Sequence, residues 1–372
     1  MQITPFKLER YFDKYEFSTK YLLSSSDCDG LAQSALLKMA DQECKKLWDN
    51  LTLGYTEYLG HPLLRTEIAK LYNGISPDQI MVAVPEEAIF IALSSLLKKG
   101  DHIICTFPGY QSLYQIAESM GCEVTKWLPD EQSGWHFDAK FLRDQIKSNT
   151  KIIIFNFPHN PTGYLPTQEE FENIIQIAKS CGAYVFSDEM YRLLEYDAAD
   201  RLPSACELYD KAISLFGMSK TFGLAGLRIG WLATRDQQWF ADIAAFKDYT
   251  TICSSAPAEI LSLIALRVKE KIISRHLKRI TRNRDVLQEF LDRHKDSFSC
   301  IVPKAGTLCF PRLLTNKLSS DRFCEKVRQK ARIMILPSTV YDYDTWHFRI
   351  GYGRENFPEV LNKFDAYLKT IL

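Results

Sequence analysis

Four short polar segments hold the residue types that could do chemistry in this chain. Each segment directly follows a short apolar run that predicts a β-strand. Ligands bind at the carboxyl ends of strands in open α/β sheets, so we expect the four segments to meet at one site. A buried lysine can act there as a nucleophile or base, and an arginine can bind a planar anion. The segments are 108–110, 156–163, 187–191, and Ser219-Lys220 with Arg228.

Alternating strands and helices must position these segments. Between residues 80 and 233, short apolar runs alternate with helical patterns, which predicts a mostly parallel sheet with helices on both faces. Thr167 to Glu170 forms a capping box that begins one helix, and Gly182 ends it. The predicted strands are 80–84, 102–106, 151–155, 183–187, 212–216 and 229–233, and further helices are predicted at 62–72 and 87–98.

The pattern changes after Ala256. A long, charged and amphipathic stretch runs to about residue 295, and shorter strands are predicted at 298–302, 307–311, 333–336 and 346–350. This change predicts a smaller α+β domain, which the N-terminal residues join. We therefore expect a large α/β domain over residues 45–260 and a small domain formed by residues 1–44 and 261–372.

Four motifs together carry a resemblance to a known family. Their sequences, in chain order, are NFPHNPTG, SDEMY, SKTFGLAGLRIGW and FRIGYGREN. In this combination they resemble the class I/II aminotransferases, which are fold-type I enzymes that use pyridoxal 5′-phosphate (PLP), over about residues 55–356. The resemblance implies PLP as cofactor and the aspartate aminotransferase-like fold, with a large domain around a mostly parallel sheet and a smaller α+β domain.

The resemblance also implies which residues act at the PLP ring. Lys220 would form the Schiff base with PLP and move a proton between substrate and cofactor, because burial makes a lysine a usable nucleophile and base. Asp188 would lie beside the pyridine nitrogen, which draws electrons from the substrate when protonated. Asn160 and Tyr191 would hydrogen-bond O3′ of PLP. Tyr110 would stack on the ring, although an aromatic residue at a strand end also suits core packing.

Other matching residues would bind the phosphate and the substrate. Arg228, helped by Ser219, would bind the phosphate with its guanidinium fork. Arg349, on a predicted strand of the small domain, would bind the substrate α-carboxylate and draw the two domains together. Asn160 is a second candidate substrate contact. Gly30 aligns loosely with a glycine that lies near the substrate side chain in the family.

Two positions depart from the family pattern at the phosphate. A short turn of small and hydroxyl residues normally begins the buried helix, but here Pro85 has no N–H to donate and Glu86 brings a negative charge. Gly217 stands where serine or threonine is usual, so a hydroxyl is lost. The helix N-terminus at Glu86 still offers N–H groups and a dipole. We therefore expect PLP to bind in an altered phosphate site that includes Glu86.

Three functions are compatible with the sequence. The first is an aminotransferase that moves an amino group from an amino acid to a 2-oxo acid. The second keeps PLP but performs elimination, cyclisation or oxidation on an amino acid. An arginine-like substrate would suit this second function if Asp27, Asp29 or Glu86 faced the pocket, but a solvated loop is the simpler interpretation. The third is a relative that binds PLP or a partner without catalysis.

Composition and residue spacing also give expectations about binding partners, metals, cellular location and oligomeric state. The 372 residues contain 46 acidic and 46 basic side chains, which gives no electrostatic reason to expect nucleic acid or a charged membrane as partner. The ten cysteines form no CxxC and the histidines lack ligand spacing, so we predict no metal. The charged N-terminus and the short apolar run at 88–97 favour a cytoplasmic protein. Tyr55, with Tyr58 as competitor, matches a tyrosine that reaches a partner subunit's cofactor, so the resemblance implies a homodimer.

Overall fold

The computed structural model describes residues 2–314 and 318–370. Within these ranges, no helix is both long and apolar enough to cross a bilayer. The strands are β1 (Tyr21–Leu22), β2 (Ile80–Ala83), β3 (His102–Thr106), β4 (Glu123–Trp127), β5 (Thr150–Asn156), β6 (Tyr184–Asp188), β7 (Ala212–Gly217), β8 (Gly230–Thr234), β9 (Phe298–Ser299), β10 (Leu308–Cys309), β11 (Arg312–Leu313), β12 (Ile333–Met334), β13 (Leu336–Pro337) and β14 (Phe348–Gly351). The α-helices are α1 (Lys7–Tyr15), α2 (Gln33–Leu37), α3 (Gln42–Asp49), α4 (Pro62–Ala69), α5 (Pro85–Leu96), α6 (Ser112–Ser119), α7 (Ala139–Asp144), α8 (Gln168–Cys181), α9 (Ala205–Leu208), α10 (Gln237–Lys247), α11 (Ala256–Arg267), α12 (Lys269–Arg293), α13 (Ser320–Ala331) and α14 (Phe357–Leu368).

The central sheet of the described chain has seven strands in the order β2-β8-β7-β6-β5-β3-β4. The strands from β7 to β4 run parallel to their neighbours, whereas β8 is antiparallel to both β7 and β2. The predicted α/β fold with a mostly parallel sheet is therefore confirmed. Sequence patterning misses β4, because this edge strand is buried only at Trp127 and lacks a continuous apolar run.

Helices pack against both faces of this sheet. Apolar residues of α5, α6 and α10 share one core with it, and those of α7, α8 and α9 share another. The predicted capping box of α8 is present, since Thr167 Oγ1 accepts the Glu170 N–H and the Glu170 carboxylate accepts the Thr167 N–H. Gly182 ends this helix with a φ of 70°. The predicted start of α5 is wrong by two residues, because the helix begins at Pro85, whose fixed φ suits a first turn.

The chain after Ala256 forms several short elements. The amphipathic stretch is two helices, of which α11 is almost fully buried and α12 buries one face. A three-stranded antiparallel sheet, β10-β14-β13, lies near α13 and α14, and its strands are shorter than predicted. The N-terminal β1 pairs in parallel with β12. By contrast, Leu36 and Cys44 share a core with Phe216 and Trp231 of the central sheet. The division into domains at residues 45 and 260 stays a prediction.

Candidate active site

A cavity of about 410 Å³ lies at the carboxyl ends of β5, β6 and β7. Its size is that of a small-molecule site. It brings together nine of the residues proposed from the sequence. These lining residues are Glu86, Tyr110, Asn160, Asp188, Tyr191, Ser219, Lys220, Arg228 and Arg349.

Three of these residues, Asn160, Asp188 and Tyr191, form what we call the ring end of the cavity. Asp188 is the last residue of β6 and pairs across the sheet with Asn156, the last residue of β5. The Asn156 side chain donates to Asp188 O at 2.9 Å and accepts the Asn160 N–H at 2.7 Å. Because this amide ties the two strand ends together, the loop that carries Asn160 is fixed relative to Asp188.

The ionisable groups near the ring end are shifted by burial. Burial raises the pKa of Asp188 to about 7, although its carboxylate accepts the Met190 N–H at 3.1 Å. Burial also lowers the pKa of Lys220, whose Nζ donates to Ser26 Oγ at 2.9 Å. A lysine with a lowered pKa has a larger neutral fraction, as a nucleophile or base requires. The Tyr191 hydroxyl is buried and makes no hydrogen bond within the described residues.

Arg349 lies on β14 and is only 1% exposed. Its Nη2 donates to Ser24 O at 2.6 Å, and its Nη1 donates to Asn160 Oδ1 at 3.2 Å and to the Tyr341 hydroxyl. Nε has no partner within the described residues. The guanidinium is thus held in place, with donor capacity left for a ligand in the cavity.

The phosphate end of the cavity, which we define as Pro85, Glu86, Gly217, Ser219 and Arg228, departs from the family pattern. Pro85 is the first residue of α5, so Glu86 lies in its first turn. Burial raises the pKa of the Glu86 carboxyl, and the nearby Ser112 and Tyr110 hydroxyls only partly oppose this effect. A buried carboxyl is therefore the unusual group at this end.

The two departures from the family pattern are coupled by packing. Gly217 pairs with Gly230 across β7 and β8. A Cβ on Gly217 would lie 2.8 Å from Gly230 Cα, 3.0 Å from Ile229 O and 3.4 Å from Pro85 Cγ. A Cβ on Gly230 would lie 2.8 Å from Pro85 Cγ. The proline ring therefore packs over both glycines, and a serine or threonine at 217 has no room.

Three further residues predicted from the sequence, Tyr110, Gly30 and Tyr55, lie in three different environments. Tyr110 packs against Phe6 with ring centroids 4.9 Å apart, and its hydroxyl donates to Glu9 at 3.3 Å. Gly30 lies outside the cavity, where a Cβ would be 3.3 Å from Gly223 O, and Ser25, Ser26 and Asp27 of the same segment line the cavity instead. Tyr55 is 90% exposed on the surface, so it does not contribute to this cavity within one chain.

A comparison of the sequence with models of protein families shows to which family the chain belongs. The model described as aminotransferase class I and II matches residues 18–363. This chain belongs to that family. The predicted resemblance is therefore confirmed, and with it the PLP cofactor and the assignment as a PLP-dependent transferase.

Individual relatives of this aminotransferase-family chain include proteins with different reactions in their names. Aspartate aminotransferase of Pyrococcus horikoshii is 26% identical over 343 residues, which cover 89% of this chain and 87% of that protein. Capreomycidine synthase of Streptomyces vinaceus is 26% identical over 297 residues, which cover 79% and 75%. A PLP-dependent aminotransferase structure from Streptococcus suis has a TM-score of 0.93 at 28% identity, with 100% and 99% covered. The PLP-dependent cyclase OrfR shares the fold, with a TM-score of 0.90 at 23% identity and 100% and 99% covered.

The polar groups of the cavity fit PLP. The buried hydroxyl of Tyr191, which has no partner in the part of the chain that the structure describes, is suited to a hydrogen bond with O3′ of the cofactor. The buried Asp188 carboxyl suits a protonated pyridine nitrogen, whose charge would restore its ionised form. Lys220 projects into the same cavity, and Arg228 provides a cation at the phosphate end. Asp188, Tyr191, Lys220 and Arg228 would therefore hold PLP in this cavity.

Several lining residues are missed by the sequence interpretation. Leu8, Glu9, Phe12 and Glu16 lie on or beside α1, a helix that the sequence analysis does not predict. The spacing of Leu8, Phe12 and Glu16, four residues apart, is a signal for one helix face. Tyr341 also contributes, because its hydroxyl donates to Asn160 Oδ1 at 3.2 Å. No motif marks it, since the contact joins residues 181 positions apart.

Proposed function

We propose that this protein is an aminotransferase that moves the amino group of an amino acid to a 2-oxo acid. The observation that carries the proposal is one cavity lined by Lys220, Asp188 and a buried Arg349. A lysine amine, a carboxyl for a ring nitrogen and a fixed guanidinium are the three groups that amino-group transfer on an α-amino acid needs.

The proposed roles follow from the geometry of each side chain. PLP supplies an electron sink that stabilises negative charge on the substrate Cα. With PLP bound, Lys220 Nζ would take the proton from the substrate Cα and later release it as a general acid, and Asp188 would hold a proton at the pyridine nitrogen. Arg349, with Asn160 beside it, binds the substrate α-carboxylate and orients the Cα–H bond toward Lys220. Because Nη1 and Nη2 of Arg349 are held by the protein, little side-chain freedom is lost on binding.

The other cofactor contacts are proposed by position. Tyr110 lies against the ring, Tyr191 at O3′, and Arg228 with Ser219 at the phosphate. The predicted division into domains at residues 45 and 260 would place Arg349 on the small domain, so substrate binding would draw that domain toward Lys220.

We also propose that the protein acts as a homodimer. The exposed side chains Leu53, Tyr55, Tyr249 and Ile252 lie on two loops that Thr56 Oγ1 joins by a hydrogen bond of 3.1 Å to Ser254 O. Exposed apolar residues grouped in this way favour association. Light scattering of the purified protein tests this, and a monomer mass at all accessible concentrations would contradict it.

The experiment that tests the function is a spectral titration. The PLP-loaded protein is expected to absorb in the near-visible range, and a suitable amino acid should abolish that band as the cofactor becomes aminated. A 2-oxo acid should then restore it. Lys220→Ala should remove both responses, whereas Lys211→Ala, at an exposed lysine bonded to Gly182 O, should leave them unchanged. Wild-type turnover by Lys220→Ala would contradict the proposal.

The similarity to capreomycidine synthase supports a second candidate, in which the same residues lead to elimination or cyclisation. Lys220 and Asp188 would act in the same way at the first proton removal. This function would consume an amino acid without transferring its amino group to a 2-oxo acid. Product analysis with labelled amino nitrogen distinguishes the two, because only the aminotransferase moves the label into a second amino acid.

A further inference from the structure

The α1 helix presents a mixed face to the cavity. Leu8, Glu9, Phe12 and Glu16 all line it. Leu8 is buried in a core that includes Met334, and this contact fixes the helix over the site. The face therefore offers apolar surface together with two carboxylates to a ligand that lies beneath it.

The cations of the described cavity lining already have counter-charges other than these two carboxylates. Arg354 donates to Asp27 Oδ1 through Nε at 3.3 Å and through Nη2 at 3.0 Å. In the proposed function, Arg228 pairs with the cofactor phosphate, Arg349 pairs with the substrate α-carboxylate, and Lys220 acts as a neutral base, in line with its lowered pKa. Loading the site with cofactor and substrate thus leaves Glu9 and Glu16 facing the cavity without a matched cation.

The surroundings of Glu9 and Glu16 agree with this charge balance. Glu9 accepts the Tyr110 hydroxyl at 3.3 Å, which leaves its second oxygen for another donor. Burial raises the pKa of Glu16 more than the charge of Arg354 lowers it. Ser25 also lines the cavity, is 4% exposed, and its Oγ has no partner within the described residues. That unsatisfied hydroxyl is a separate indication that a polar ligand binds in the same cavity.

We propose that the substrate of this enzyme has a side chain that ends in a cation, bound by Glu9 and Glu16. The substrate class is an α-amino acid with an ammonium or guanidinium group at the end of a methylene chain. The chain would lie along Leu8 and Phe12, and the cation would reach the two carboxylates. This inference rests on the proposed function, because it uses Arg349 to fix the orientation of the substrate.

The test compares amino acids of equal shape and different charge on the PLP-loaded protein. Dissociation constants for arginine and for citrulline, its neutral isostere, are measured from the change in cofactor absorbance. Arginine should bind about tenfold or more tightly, as expected for a charge-assisted hydrogen bond. Lysine and norleucine, which is shorter by the terminal ammonium group, form a second pair with the same expected order.

Charge-removing variants locate the effect on α1. Glu16→Gln and Glu9→Gln should each lower the arginine-to-citrulline preference, and the double variant should bring it close to one. Asp13→Asn is the matched control, because Asp13 lies on the same helix but pairs with Arg10 in an exposed position. Its preference should equal that of the wild type. Retention of the cofactor band shows that each variant is folded.

The outcomes separate this inference from the proposed function. Equal binding of arginine and citrulline would overturn the cationic substrate, and a preference that survives in the double variant would overturn its binding by Glu9 and Glu16. Either result would leave the aminotransferase intact. A protein whose cofactor band responds to norleucine as strongly as to lysine would do the same. If the band responds to no amino acid of any charge, both proposals are wrong.

Discussion

The ring end and the phosphate end lie in the same cavity, yet only the phosphate end departs from the family pattern. At the ring end, Asp188 and Asn160 are tied together through Asn156, and both residues line the cavity. At the phosphate end, Pro85 and Gly217 replace residues that would donate N–H or hydroxyl groups. Ring chemistry needs particular side chains, whereas a phosphate can be bound by many arrangements of backbone N–H groups and cations. We therefore expect substitutions at the ring end to reduce activity more than substitutions at the phosphate end.

The largest effect is expected from Asp188→Asn at the ring end. Asparagine keeps the shape but cannot carry the negative charge that holds a proton on the pyridine nitrogen. Turnover should fall by about a hundredfold or more, the usual scale for a lost electrostatic contact to the transition state. Steady-state rates measure this, with Asp210→Asn at an exposed position as control. Near-normal turnover would show that the ring nitrogen does not depend on Asp188.

Arg349→Lys should have the next largest effect. Lysine keeps the charge but loses the planar fork, and it leaves Ser24 O and Asn160 Oδ1 with fewer donors. We expect kcat/KM to fall by roughly ten- to a hundredfold, mainly through KM, with unchanged PLP binding. Arg293→Lys, at a half-exposed arginine beside Asp365, is the control. A fall in PLP affinity instead would assign Arg349 to the cofactor.

Gly217→Ser tests whether packing explains the phosphate end. The new side chain would meet Gly230 Cα and Ile229 O, so the free energy of unfolding should fall by about 1–3 kcal/mol. Thermal or denaturant unfolding measures this. Gly226→Ser is the matched control, because a Cβ there meets no atom of the described residues within 4 Å. A stable Gly217→Ser variant with tighter PLP binding would refute the coupling to Pro85.

The smallest effect is expected from Glu86→Gln. Removing this charge should increase the affinity for PLP several-fold, which is the size of a typical exposed ion-pair contribution. The affinity for pyridoxal, which lacks the phosphate, should change little. Since burial raises the pKa of Glu86, the carboxyl becomes neutral on acidification earlier than a free glutamate would. The advantage of the variant should therefore shrink as pH falls and grow as pH rises. A pH-independent ratio of the two dissociation constants would contradict a charge effect.

Sequence alone predicts the parts of the molecule that local signals specify. The strands before Asp188 and Lys220 are short apolar runs with motif residues at their ends, and the Thr167 capping box is encoded within four residues. The edge strand β4 is not predicted, because most of its residues are at least partly exposed and it has no continuous apolar run. These outcomes reflect how much of each element's stability comes from its own neighbours in sequence.

The features of the site that the sequence does not predict depend on contacts between distant parts of the chain. The packing of Pro85 against Gly217 and Gly230 appears only when α5 meets β7 and β8. Likewise, α1 reaches the cavity because Leu8 packs near Met334 and Tyr341, a contact that no local pattern encodes. The cofactor can therefore be predicted from the sequence more readily than the groups that face the substrate side chain.

The pairing of β1 with β12 has a consequence for how the enzyme is made. Tyr21 leaves the ribosome long before its partner Ile333 is synthesised. Ser25 O similarly packs against Gly351, which is synthesised later still. Until those residues emerge, the nascent chain has Lys220 but not all the walls of the cavity that surround it, so the finished cavity can form only after residue 351 has been translated.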